Sequence, residues 1–234
     1  MVASALHSGI LSLCLAFVAL PAFAARPFVT DDARIVDPGG CQIETFVKKQ
    51  RNFGEFEAWF LPGCNPGGNL ELTVGGLNAK NDADGRGSML IAQGKTLLKP
   101  LQTNGYGIAA TLGALRQRPF AAEPASHWSP FVNLISSFSQ RDDALVIHVN
   151  AGVLDDRNTG VTRPTWGVGA EILLAPRLYA IVERYGQKGD KTSQQIGIRY
   201  WVLPQRLQLD STLGSQRGGA PARTWISAGL RLLF

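Results

Sequence analysis

Hydrophobic and polar positions alternate with a period of two through most of this chain. In residues 143–154 the apolar set is Leu145, Ile147, Val149, Ala151 and Val153, and the set between them includes His148, Asn150 and Gly152. In 163–174, Trp166, Val168, Ala170 and Ile172 oppose Thr165, Gly167, Gly169 and Glu171. In 205–214, Leu207, Leu209 and Leu213 oppose Gln208, Asp210 and Thr212, and the last segment sets Ile226, Ala228, Leu230, Leu232 and Phe234 against Ser227, Gly229 and Arg231. Successive side chains of a strand point to opposite faces, so this pattern predicts strands with one apolar and one polar face. About twelve segments qualify: 42–51, 54–62, 69–79, 87–98, 104–117, 128–139, 143–154, 163–174, 177–186, 193–203, 205–214 and 223–234. None carries a 3.6-residue apolar stripe of helical length, so the chain is predicted to be all-β.

The connectors choose between a soluble sandwich and a barrel in a membrane. Some are short and often Pro-bearing, as at Gln140-Arg141-Asp142, Ala175-Pro176-Arg177 and Leu203-Pro204-Gln205. The alternate ones are longer and polar, at 80–87, 117–126, 155–162, 186–192 and 215–222. Short turns at one end and long loops at the other are the mark of an outer-membrane barrel, and a tilted membrane strand needs about 9–11 residues. The fold expected is therefore a single antiparallel transmembrane β-barrel over 41–234, with short periplasmic turns and longer extracellular loops. Aromatic residues gather at strand ends: Trp128, Trp166, Tyr185 and Trp225 toward the long loops, and Trp59, Phe60, Phe138, Tyr179, Tyr200 and Trp201 toward the short turns. They predict two belts at headgroup level. Trp225 fits imperfectly, because it shares the parity of Arg231.

The N-terminus sets the compartment. Residues 9–20 are an apolar run followed by Pro21 and Ala22-Phe23-Ala24, which reads as a secretory signal peptide over 1–25. Residues 26–40, with Asp31, Asp32, Arg34 and Asp37, precede the first strand. They form either a periplasmic tail or a small plug within the barrel. The chain has 234 residues, a formal charge of +5 and a mean hydropathy of +0.01. Those values exclude a bundle of membrane helices and argue against disorder. An exported chain is not expected to meet nucleic acid. Its expected surroundings are outer-membrane lipid and lipopolysaccharide.

Cys41 and Cys64 remain after signal removal, and an even pair in an exported chain predicts a disulfide. A two-residue turn at Asn52-Phe53 between the first two strands places position 41 opposite position 64. The bridge then locks the open, periplasmic end of the first hairpin.

The closing strand WISAGLRLLF ends in Phe234, the chain's last residue. In this it resembles outer-membrane β-barrels, and the resemblance implies that Phe234 is read by the barrel-assembly machinery. A narrower likeness rests on the opening Arg26-Pro27-Phe28-Val29-Thr30-Asp31-Asp32 with Gly39-Gly40, and on Gly197-Ile198-Arg199-Tyr200-Trp201 followed by Leu207-Gln208-Leu209-Asp210. These resemble the outer-membrane transporters linked to phenol meta-pathway degradation. That resemblance implies passage of small organic solutes, while the Cys41/Cys64 pair departs from the family.

Catalytic motifs are weak. Gly94-Lys95-Thr96 lacks the upstream glycine of a phosphate-binding loop, and Asp82-Ala83-Asp84-Gly85 lacks calcium ligands at its first and twelfth positions. His148-Val149-Asn150 has Asn where an outer-membrane lipid hydrolase would need its serine. No metal site or cofactor is expected. The stronger signal is the polar parity of the C-terminal strands, which offers Glu171, Glu183, Arg199, Asp210 and Arg231, with His148 and Asn150, to the lumen. A charge facing lipid at mid-depth costs about 2–4 kcal/mol, so these belong inside. They serve either as the lining of a water-filled path or as a network that fills and stiffens the interior. The function expected is passive or facilitated entry of small organic compounds, aromatic or otherwise hydrophobic. The alternatives are a non-transporting envelope barrel and, less favoured, a hydrolase.

Overall fold

The computed structural model describes residues 29–51, 54–81, 85–118, 127–216 and 223–234. The proposed signal peptide, Arg26-Pro27-Phe28 at the start of the N-terminal segment, the Asn52-Phe53 turn, Asp82–Asp84 and the loop segments 119–126 and 217–222 lie outside them.

Twelve strands follow one another: β1 (Cys41–Gln50), β2 (Phe56–Cys64), β3 (Glu71–Asn81), β4 (Gly85–Lys99), β5 (Tyr106–Arg118), β6 (Ser129–Gln140), β7 (Leu145–Asp156), β8 (Val161–Ala175), β9 (Leu178–Gln187), β10 (Ser193–Leu203), β11 (Leu207–Gln216) and β12 (Arg223–Leu233). Each pairs antiparallel with its neighbours, and β1 pairs with β12 to close the barrel. Closure leaves no unpaired sheet edge, the condition a β-structure must meet in lipid.

The faces are inverted relative to a water-soluble protein. Outward positions carry Val74, Leu112 and Ile196, each more than half exposed. Inward positions carry His148 and Gln208 at 0% exposure and Arg199 at 1%. The parity of the sequence is thus the parity of the wall, apolar to the outside and polar to the lumen.

The contrast in connector length is carried by the second half of the chain, where β8 and β9 are separated only by 176–177 and β10 and β11 by 204–206. The polar connectors shorten because strands run on into them: β7 reaches Asp156 and β8 begins at Val161. At the other end of β7, Arg141, Asp142 and Asp143 all have φ between 54° and 65°, so the turn takes 141–144 and the strand starts later than its apolar pattern suggests. Bulges at Leu97/Lys99, Leu173/Ala175 and Trp201/Leu203 lie at the short-turn end. Pairing of β2 with β3 lapses between Phe60 and Gly63, where Pro62 has no N–H to give, and Gly75 and Gly76 allow the neighbouring backbones to approach.

Cys41 pairs with Cys64 in the β1–β2 register and the two form a disulfide. Beside it, Cys41 N–H donates to Phe234 O at 2.7 Å and Phe234 N–H donates to Cys41 O at 2.9 Å, so the start of β1 and the last residue meet at one point of the rim.

The aromatic belts are thinner than expected. Trp128, Trp166, Phe60, Phe138 and Tyr200 are exposed on the outer face. Trp201 and Trp225 are buried in the lumen, and Trp59, Tyr179 and Tyr185 share inward parity with Glu57 and Glu183. The indole N–H groups explain this: Trp225 donates to Gln195 at 3.2 Å and Trp59 to Glu57 at 2.8 Å, partners that only the interior offers.

Candidate functional site in the barrel lumen

Residues 29–37 rise from the rim into the lumen, and the wall holds them mainly by their main chain. The Glu183 carboxylate accepts the N–H groups of Val29 (2.9 Å) and Thr30 (2.8 Å). Asn150 accepts from Asp31 N–H at 2.7 Å and donates to Asp31 O at 2.8 Å. Ser137 Oγ accepts from Ala33 N–H at 2.9 Å, and Glu71 accepts from Val36 N–H at 2.7 Å. Three ion pairs use side chains of the segment: Lys95 binds Asp31 at 2.7 Å and Asp32 at 3.4 Å, and Arg34 lies 3.8 Å from Glu171. A segment without secondary structure inside a sheet needs such partners for its polar groups. Gly167 makes room for it, since a Cβ there would meet Thr30.

Beneath this segment the β6–β10 side of the lumen is packed. Glu171 accepts from Arg199 at 2.9 Å and pairs with His148 at 3.2 Å, and His148 meets Ser137 at 2.8 Å. Arg199 reaches Glu171 past Ile181, which is 0% exposed on the intervening strand. Ala33, Ala109 and Ile135, all at 0%, form a small apolar core with Leu97 beside it. Ser137, His148 and Glu171 have the composition of a hydrolytic triad, but Ser137 is capped by Ala33 N–H and none of the three lines the cavity.

Of the residues named from sequence, Glu171, Arg199 and His148 come together in this cluster, with Arg34 as a further member. Glu183 and Asn150 hold the N-terminal segment instead. Asp210 sits opposite Arg199 in register and leans over Gly229. Arg231 lies across the lumen, where its Nε donates to Gln42 at 2.7 Å and approaches Glu44 at 3.6 Å. Sequence reasoning met Lys95 only in the rejected phosphate-loop motif and passed over Glu71, Gln195 and Ser137. Lys95 and Glu71 share a cross-strand pair on β4 and β3, a signal available once the register was assumed.

The β1–β4 side is different. A cavity of about 500 Å³ opens beside the segment and descends along this wall to Gln42, Leu61, Glu71 and Thr73. Toward the long-loop end it is bordered by half-buried apolar side chains, Ile91, Leu115, Phe131 and Leu154, on β4 to β7. Ile91 faces Leu115, Phe131 faces Leu154, and the Phe131 ring lies over Gly113, so the four make one strip. Acids and bases alternate around the rest: Asp31, Asp32, Glu44 and Glu71 with Arg34, Lys95 and Arg231. The cavity therefore has one apolar flank and no single charge sign.

A closed, twelve-stranded barrel with a polar lumen is the architecture of outer-membrane porins. The KdgM porin matches with a TM-score of 0.61 over 82% of this chain and 98% of its own, at 10% identity. The NanC porin gives 0.62 over 81% and 98%, at 7% identity. The COG4313 outer membrane channel from Pseudomonas putida F1 gives 0.55 over 87% and 98%, at 10% identity. By sequence, the chain belongs to the family described as uncharacterised conserved protein UCP029691, whose model matches residues 13–234. No curated protein matches it. The family description carries no pathway, and at these identities the solved barrels establish the fold alone.

Proposed function

We propose that the protein is an outer-membrane channel for the passive or facilitated entry of small organic compounds that bear an apolar face. The observation that carries this reading is the apolar strip of Ile91, Leu115, Phe131 and Leu154 facing a cavity large enough for a small molecule. Apolar groups set against water inside a polar barrel have no role in holding the wall in lipid, and such patches mark binding sites. The balanced charges around the cavity favour neutral or weakly charged solutes over polyanions. One solved KdgM structure holds disordered oligogalacturonate, a ligand of that protein. The alternating charges here suit a different cargo.

The resemblance of the opening and the penultimate hairpin to the phenol meta-pathway transporters points the same way, toward aromatic solutes. In this reading the export signal is removed, Phe234 guides assembly, lipid and lipopolysaccharide surround the wall, and Glu171, Glu183, Arg199, Asp210 and Arg231 shape the lumen without catalysing a reaction. Uptake by proteoliposomes containing the purified protein tests it. Small aromatic alcohols and acids should enter faster than sugars of similar size, and no ester should be hydrolysed. Uptake equal to that of protein-free liposomes for every solute would overturn it.

A further inference from the structure

We propose that solute crosses along the β1–β4 wall and that the Glu71 carboxylate is the latch closing this route at the short-turn end. The inference rests on the channel reading. The route is defined by contrast toward the short-turn end: near the long loops the cavity also borders Asn133, Thr165 and Tyr185, but it continues down to Glu71 and Thr73 on this wall, whereas the lower β6–β10 side is filled by the segment and by fully buried side chains such as His148 and Arg199.

At the bottom of the cavity one carboxylate ties three pieces of chain together. Glu71 Oε2 accepts Val36 N–H at 2.7 Å, and Oε1 accepts the Gln42 side-chain amide at 2.9 Å. Gln42 Oε1 in turn accepts Arg231 Nε at 2.7 Å. Asn65, in the β2–β3 connector, donates to Val36 O at 2.8 Å and to Gly68 O at 3.1 Å. Gly63 faces Thr73 across β2 and β3, and a Cβ there would meet Thr73 Oγ1 at 2.8 Å, so the glycine keeps this floor open next to Glu71. Val36 is thus held on the route side by Glu71 and Asn65. The earlier part of the segment is held on the far side by Asn150, Ser137 and Glu183, and on β4 by Lys95 through Asp31 and Asp32. Releasing Val36 lets the lower segment swing off the β1–β4 wall while its upper part stays anchored. The floor's donors and acceptors are then free to bind the polar end of a solute whose apolar face has descended past Phe131.

Single-channel recording in planar bilayers tests the latch, with the unmodified protein and five variants compared after each is shown to be barrel-folded by heat-modifiable mobility. Deletion of residues 29–37 removes the whole segment and should give the highest conductance. Glu71→Ala should conduct several-fold more than the unmodified protein, Glu71→Gln should stay near it because its amide oxygen still accepts Val36 N–H, and Glu183→Ala should rise less than Glu71→Ala. Adding Thr73→Trp to Glu71→Ala should return the conductance toward the unmodified level by filling the route. If the deletion conducts but Glu71→Ala matches the unmodified protein, or Glu183→Ala opens it as far, the latch is overturned and the channel stands. If the deletion itself fails to conduct, the channel reading falls.

Discussion

The two sides of the lumen are built from the same inward parity and use it to opposite ends. On the β6–β10 side the buried carboxylates and hydroxyls of the lower lumen are tied to partners: Glu171 by Arg199 and His148, Ser137 by His148 and Ala33, Glu183 by Val29, Thr30 and Gln195. On the β1–β4 side the cavity keeps side chains apart, and Glu71, Lys95 and Arg231 face it while holding their partners. The difference teaches that a polar inner face does not by itself define a pore. What shapes the open part is the chain's own N-terminal segment, which fills the lower β6–β10 side and borders the cavity through Val29, Asp31 and Arg34.

The largest effect should come from breaking the packed side. Arg199→Ala leaves Glu171 buried without its nearest cation, and losing one member of a buried pair costs about 3–5 kcal/mol. Gln93→Ala on the cavity wall should cost less than about 1 kcal/mol, as is usual for positions outside a packed network. Urea unfolding of the detergent- or lipid-reconstituted protein measures both, and equal costs would erase the contrast.

Next is the disulfide, which fastens the rim under the open side. Cys41→Ala with Cys64→Ala should cost about 2–4 kcal/mol, the usual contribution of a bridge closing a loop of moderate length. The loss should show in the same unfolding assay, and reducing agent should reproduce it in the unmodified protein.

A smaller effect concerns cargo. Phe131→Ala should slow liposome uptake of aromatic solutes several-fold and leave small polar solutes unaffected. A uniform change for both classes would mean that the apolar strip only sets the bore.

The smallest effect lies at the long-loop rim beside β2. Burial and the neighbouring Glu57 push the Glu55 carboxyl above its ordinary value. A carboxyl whose folded pKa is raised favours its protonated form in the fold. Its contribution is therefore full below the ordinary carboxylate range and declines as pH rises through the raised value. Glu55→Gln should remove that small decline when unfolding midpoints at acid and neutral pH are compared, without altering conductance.

Much of the wall was legible in the sequence. The period of two gave the strands, and hairpin arithmetic put Cys41 opposite Cys64. The charges of β8 to β12 were readable because each of those strands keeps one chemistry per face along most of its length. The inner faces of β3 and β4 change midway, from Glu71 and Thr73 to Leu77 and Ala79, and from Lys95 and Gln93 to Ile91 and Met89. Alternation is blurred there, which hid the open side. The lodging of residues 29–37 was illegible for another reason. Their contacts are made by main-chain N–H groups, which every residue but proline carries, so composition left plug and tail equally open. The Ser137–His148–Glu171 chain depends on the registers of three successive strands, and no local motif announces it.

The asymmetry of the lumen can be read directly with a membrane-impermeant thiol reagent applied to intact cells, because both native cysteines of the barrel are tied in the disulfide. Gln93→Cys on the cavity wall should be modified rapidly and Ile181→Cys on the packed wall should stay unreacted until the protein is unfolded. Equal reaction at the two positions, or none at Gln93→Cys, would contradict the account.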